Sequence, residues 1–208
     1  MTFLGDTAVA QWLDLSPIPE INTTSSNGRH DIHALIESSK VIVFQPNNSP
    51  GGDVGARLLK AQFYRAAMER ENLRQPILFL CDEFQRFVTA DRESGETSLL
   101  DRCRAYRITA VLATQSVTAL CDAISKQERH GNPTFAVNCI LSNIAYMFYF
   151  QTLDECSEES LKATLPVVVP PGWRHPLEFV PLSAMRVGEA YYVAPEGRWG
   201  LTQFKMAA

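Results

Sequence analysis

The sequence predicts an α/β fold, a parallel sheet flanked by helices with a C-terminal β-hairpin. Three observations carry that expectation. Short apolar runs recur at Lys40–Phe44 (K-V-I-V-F), Ile77–Cys81 (I-L-F-L-C), Ile108–Ala113 (I-T-A-V-L-A) and Ala145–Phe150. Segments with helical apolar spacing lie between them. Near the end, Glu189–Ala194 and Trp199–Lys205 flank the tetrapeptide Pro195-Glu196-Gly197-Arg198, the spacing of a hairpin. Strands alternating with helices at these intervals form parallel sheets with right-handed crossovers, and unbroken apolar runs mark strands buried on both faces.

The elements follow in order. Residues 1 to 28 hold Pro17, Pro19 and the polar tract Asn22–Gly28, which suits an irregular lead-in. Lys40–Phe44, bounded by polar residues and Pro46, is expected to be the first strand. Gly51–Arg70 follows as a helix, with Leu58, Leu59, Phe63, Ala66 and Ala67 at helical spacing. Pro76 punctuates the second strand, which ends directly in Asp82-Glu83. A polar stretch, Thr89–Glu96, leads into a helix reaching about Arg104. The third strand closes on Thr114-Gln115-Ser116, and a helix runs from Val117 to about Lys126. After Gly131-Asn132-Pro133 a short helix precedes the fourth strand, and a charged helix spans Leu153–Lys162. Pro166–Pro181 is proline-rich without helical period. The four central strands are expected in one parallel sheet, with the hairpin on its edge.

Composition bounds the function. At 208 residues, 46% hydrophobic and 20% charged, the chain is about one globular domain's worth and can bury a core. A formal charge of −4 argues against coating nucleic acid by bulk electrostatics, which needs clustered Lys and Arg. Cys81, Cys103, Cys121, Cys139 and Cys156 form no C-x-x-C pair and read as small core residues of a reducing cytosol. His30 and His33 have no second ligand pair at metal spacing, so no metal bound by His or Cys is expected. No apolar run reaches the roughly 18 to 20 residues that span a bilayer, and the first residues lack the basic region followed by an apolar region that marks a signal peptide. A cytoplasmic chain with no direct membrane insertion is expected.

The chemistry-bearing residues fall at strand ends. Asp82 and Glu83 stand where an apolar strand stops, and the carboxyl edge of a parallel sheet is where open α/β folds place ligands. Of two such carboxylates, one can hold the water shell of a magnesium ion and the other can deprotonate an attacking water. Gln115 ends the next strand and is placed to sense a γ-phosphate. Between them Arg102, Arg104 and Arg107 sit near a helix end, able to meet charge spread over a transferring phosphoryl group. Each feature alone is an ordinary turn or a solvated helix end; their order on consecutive βα units is what points to chemistry.

That order carries a resemblance. I-L-F-L-C-D-E-F-Q-R-F-V-T, followed by L-L-D-R-C-R-A-Y-R-I-T-A-V-L-A-T-Q-S-V-T-A-L, resembles the Walker B strand, arginine segment and glutamine motif of type IV secretion and conjugation coupling proteins, the TraD/TraG group. N-C-I-L-S-N and V-G-E-A-Y-Y-V-A-P-E-G-R match more weakly, in order, and the likeness covers about residues 28 to 206. The core motifs are shared with the wider HerA/FtsK-like superfamily of DNA translocases. The resemblance implies that residues 29 to 208 are the C-terminal part of a RecA-like P-loop ATPase domain. It implies that Asp82 supports magnesium through water, Glu83 is the catalytic base, and Gln115 links phosphate state to movement. Asp82, Glu83 and Gln115 together would face the nucleotide. Arg104 is implied as the finger reaching into a neighbouring subunit, with Arg102 and Arg107 as alternatives. ATP and magnesium are the cofactors of the completed motor, and none is expected for the isolated chain. A homo-hexamer, DNA, and relaxosome or secretion proteins are the implied partners of the parent machine.

The chain departs from the family in one respect. It contains no G-x-x-x-x-G-K-S/T, the loop whose backbone amides cradle phosphates while its lysine reaches the β and γ groups. Gly51-Gly52-Asp53-Val54-Gly55-Ala56-Arg57 lacks the lysine and hydroxyl and reads as a turn and helix start. Three explanations fit: a fragment of a longer or interrupted gene, a split motor completed by a Walker A-containing segment or chain, or a remnant kept for binding. A function of another class is a catalytically dead adaptor that docks a coupling protein or DNA-processing partner.

Overall fold

The computed structural model describes residues 32–37, 41–46, 50–89, 95–127, 132–165 and 180–204. The lead-in at 1 to 28, Gly131, Lys205 and all but the end of Pro166–Pro181 lie outside the described residues. The described chain is mixed α/β and divides into two compact units, one ending at Ala113 and one beginning at Thr114.

In the first unit, α1 (Ile32–Glu37) and α2 (Pro50–Glu69) precede β1 (Ile77–Cys81), the short α3 (Phe84–Phe87), α4 (Glu96–Arg102) and β2 (Ile108–Leu112). β1 and β2 pair in parallel from Ile77↔Ile108 to Cys81↔Leu112, as the apolar runs predict. Alternation along them then sets the faces. Ile77 and Phe79 turn toward a core of Tyr64, Ala67, Leu99 and Ile108, where Phe79 stacks on Phe63 at 5.4 Å and meets the edge of Tyr64 at 5.4 Å. Leu78, Leu80 and Val111 stand exposed at 61%, 66% and 47%, so one face is covered and the other is not. The expectation of strands buried on both faces fails on that second face.

The expected strand at Lys40–Phe44 is corrected. Val41–Pro46 carry no strand, and Val41 and Val43 are among the most exposed apolar residues. A strand exists only where another satisfies its N–H and C=O groups. Among the described residues no strand pairs with this segment.

The second unit holds α5 (Val117–Ser125), α6 (Pro133–Ser142), β3 (Met147–Phe150), α7 (Glu155–Thr164), β4 (Glu189–Ala194) and β5 (Arg198–Gln203). Each helix opens on a side-chain cap: Ser116 Oγ accepts from Ala119 N at 3.0 Å, Asn132 Oδ1 from Phe135 N at 3.2 Å, and Asp154 Oδ2 from Ser157 N at 2.8 Å. The predicted hairpin forms, β4 pairing antiparallel with β5 from Glu189↔Gln203 to Ala194↔Arg198. Its turn needs the left-handed Glu196 (φ 65) and Gly197 (φ 70).

The fourth expected strand is also corrected. β3 is not in the parallel pair; it lies antiparallel to β4, from Met147↔Val193 to Phe150↔Ala190, giving a three-stranded sheet ordered β3-β4-β5. The hairpin therefore extends β3 and does not edge the parallel strands. Met-Phe-Tyr-Phe alternates half-buried and exposed positions, as suits a sheet with one covered face. Met147 and Tyr149 pack on Leu161, Leu182, Met185, Tyr191 and Val193, while Phe148 and Phe150 lean outward against Phe204 at 5.6 and 5.4 Å.

Candidate functional site

The site begins where β1 ends. Ala113 N donates to Cys81 O at 2.9 Å, and Phe84 N donates to Ala113 O at 2.8 Å, so the chain leaves the ladder at Cys81 and is caught again at Phe84. Asp82 and Glu83 are the two residues thrown outward between these anchors. Phe84 and Val88 are buried at 2% and 0% and pin the segment that follows. Glu83 sits in the left-handed region (φ 49, ψ 41), a conformation that costs a non-glycine residue on the order of 1 kcal/mol or more. The exposed Asp82 braces it, its Oδ1 accepting from Glu83 N at 2.9 Å. Glu83 is half-buried, and its Oε2 accepts from Gln85 Nε2 at 2.5 Å.

Several polar residues behind this edge escape a sequence reading. Arg86 pairs with Asp53 of α2 at 2.9 Å and lies over the Phe87 ring at 5.5 Å. Deeper, Lys60 Nζ donates to Glu96 Oε1 and to Phe87 O, Tyr64 OH donates to Glu96 Oε1 at 3.2 Å, and Thr89 N donates to Glu96 Oε2 at 2.6 Å. The Lys60 and Glu96 side chains are 6% and 0% exposed. Burial lowers the Lys60 pKa against the opposing pull of Glu96, and burial, then Glu96, raises that of Tyr64. The cluster ties α2, α4 and the chain after α3 together, so it fixes the floor from which Asp82-Glu83 project. The signal for it was a lysine on an apolar helix face with Tyr64 one turn later. Burial pushes the nearby Cys81 thiol up to about 11, with Lys60 acting in the opposite direction, and it stays protonated at neutral pH.

The arginines occupy the other edge. Arg102 ends α4, and Arg104 and Arg107 lie in the turn before β2, so the cluster meets the strand pair where it begins. A five-residue strand at about 3.3 Å per residue separates that end from Glu83 by about 16 Å. All three arginines are exposed. Arg107, left-handed at φ 51, has Nη1 donating to Arg74 O at 2.9 Å and its carbonyl accepting from Ile77 N at 3.0 Å, so it shapes the start of β1.

Gln115 belongs to the second unit. It is exposed in the turn ahead of α5 and follows Thr114 directly. Gly52 and Gly55 fall within the first turns of α2, so the glycine cluster is a helix start. Among the described residues no group of three or more His, Cys, Asp or Glu side chains is placed to hold a metal ion directly. No helix among the described residues is long and apolar enough to cross a membrane.

Comparison with protein-family models, with curated proteins and with solved structures finds no match to this chain.

Proposed function

We propose that this chain is the hydrolysis-side half of a P-loop motor ATPase of the type IV coupling-protein kind, completed by a phosphate-binding segment or chain. The observation that carries the reading is the carboxyl edge of the parallel pair, where a strained Glu83 is held beside Asp82. Backbone strain in a non-glycine residue persists where its surroundings impose it, and such residues cluster at functional sites. In the completed site Asp82 would hold the water shell of magnesium, which neutralises charge on the phosphates. Glu83 takes the proton of the attacking water, Gln115 senses the γ-phosphate, and Arg104 meets transition-state charge from a neighbouring subunit. The strand length between Glu83 and the arginine turn supports action across a subunit boundary. The same arrangement serves a HerA/FtsK-like translocase, and DNA and secretion partners belong to the parent machine in either case.

The exposed Leu78, Leu80 and Val111 support the idea of a missing layer, because parallel sheets are covered on both faces almost everywhere they occur. That same face favours the second reading, an adaptor without catalysis. Titration separates the two. The isolated chain is expected to show no measurable ATP binding by calorimetry, since two carboxylates without a phosphate cradle repel a triphosphate. Completed by a Walker A segment, as an upstream fusion or a second chain, it should hydrolyse ATP, and Glu83→Gln should stop turnover. Micromolar binding by the chain alone, or turnover indifferent to Glu83→Gln, contradicts the proposal.

A further inference from the structure

The second unit contains a clasp directly behind Gln115. The first backbone donors of α5 have no intrahelical acceptor. Here they are met from α7: Val117 N donates to Ser157 Oγ at 3.0 Å, and Thr118 N donates to Asp154 Oδ2 at 3.4 Å. Ser157 Oγ in turn donates a hydrogen bond to Asp154 Oδ2 at 2.6 Å, and Ser157 N donates to the same oxygen at 2.8 Å. The hydroxyl is thus a relay between Val117 and the carboxylate, and Ser157 is 5% exposed. Ala119 N and Leu120 N are met by Ser116 Oγ and Ser116 O at 3.0 and 3.3 Å. The turn that presents Gln115 is therefore fixed on its downstream side by two residues of another helix, although one local serine would have sufficed as a cap.

That other helix is anchored. Leu161 is fully buried with Leu182, Met185, Tyr191 and Val193, and Glu158 Oε2 accepts from Leu182 N at 3.2 Å. An unbroken path of hydrogen bonds and packing runs from the residue after Ser116, through Asp154 and Ser157, into α7 and the antiparallel sheet. We propose that Asp154 and Ser157 are positioning residues for Gln115, holding its turn in one geometry and linking it to α7 and the β3-β4-β5 sheet. The inference rests on the reading of Gln115 as the phosphate sensor; the clasp gives that sensor its mechanical connection.

The first measurement uses the full isotope-labelled chain. Asp154→Ala should speed hydrogen exchange at Thr118 by on the order of 10-fold or more, the loss of a charge-assisted hydrogen bond, and should speed it at Val117 as well, whose acceptor Ser157 loses its anchor. The Gln115 backbone order parameter should fall from about 0.85 to below about 0.6. Protection at Leu161 and Tyr191 should persist. Asp154→Asn, which keeps an acceptor oxygen, should restore order at Gln115, a rescue that loss of folding would not show. If Asp154→Ala fails to fold, Ser157→Ala, which removes the acceptor of Val117 and the hydroxyl bond to Asp154 but keeps the carboxylate that Thr118 N donates to, carries the same measurement. The second uses the chain completed with a Walker A segment: Asp154→Ala should lower kcat, leave KM unchanged, and cause no further loss on Gln115→Ala. Unchanged order at Gln115, or losses that add, overturns the positioning role. A silent Gln115→Ala in an assembly that turns over ATP sinks the sensor reading and this proposal with it. A disabling Gln115→Ala with a silent Asp154→Ala sinks the positioning role alone.

Discussion

Glu83 should be a residue at which glycine leaves a more stable fold than alanine, although either replacement removes the carboxylate. Its φ of 49 and ψ of 41 place a β-carbon where L-residues are crowded, at a cost of about 1 kcal/mol over glycine. Glu83 also accepts from Gln85 at 2.5 Å, a half-buried bond contributing about 0.5 to 1 kcal/mol. Glu83→Ala loses that bond and keeps the strain, whereas Glu83→Gly loses both. The difference between these two variants therefore isolates the backbone, and Gly should exceed Ala by about 1 kcal/mol. Hydrogen exchange of the β1 and β2 amides is the suitable assay, because it reports the opening of this unit without assuming that both units unfold together. A gain of that size slows exchange about fivefold in Glu83→Gly relative to Glu83→Ala. Equal exchange in the two, or faster exchange in the glycine variant, would mean that the turn is not strained and that the structural argument for the site fails.

Two further outcomes test other parts of the account. Glu96→Ala leaves the Lys60 ammonium, the Tyr64 hydroxyl and the Thr89 amide without their buried acceptor, and should cost about 3 to 5 kcal/mol by urea denaturation. Adding Lys60→Met should recover part of that loss, and a Glu96→Ala cost below about 1 kcal/mol would contradict the buried pair. Burial opposes the charge on Asp154, but hydrogen bonds from Ser157 and Thr118 outweigh it and hold its carboxyl below the usual range. A depressed folded pKa gives stability that is present above the unfolded value near 4 and is lost as pH falls through the folded value. The stability advantage of the native chain over Asp154→Asn should therefore shrink below about pH 4, and an advantage that grows on acidification has the wrong sign.

What the sequence made legible is what local pattern encodes. Ile77–Cys81 and Ile108–Leu112 are unbroken apolar runs, and their parallel pairing follows from the helical segment between them. Turn residues and apolar period predict the hairpin of Glu189–Ala194 and Trp199–Lys205 and the helices Gly51–Arg70 and Val117 to about Lys126, and the structure has the hairpin at Glu189–Gln203 and the helices at Pro50–Glu69 and Val117–Ser125. Lys40–Phe44 has the composition of a strand, yet composition says nothing of whether a partner strand exists. Ala145–Phe150 holds a strand, Met147–Phe150, but in a different sheet from the expected one for a related reason, since its partner lies about forty residues away beyond a proline-rich stretch. The carboxylates stood out because they end an apolar run. Arg86 and the Lys60–Glu96 pair did not, because polar contacts across 33 or 36 residues leave no local trace. The left-handed turn at Glu83 has no glycine or asparagine to announce it.

The most direct test of the central claim is subunit mixing in the chain completed with a Walker A segment. Arg104→Ala should lower kcat by on the order of 10³-fold with little change in nucleotide affinity, and Glu83→Gln should stop turnover from within its own site. Mixed assemblies of the two variants hold some interfaces with both an intact base and an intact arginine. Partial recovery of ATP hydrolysis in the mixture, absent from either variant alone, is the result predicted for a base and a finger that meet across a subunit boundary. No recovery in the mixture, or full turnover by Arg104→Ala together with Arg102→Ala and Arg107→Ala, would contradict the motor reading.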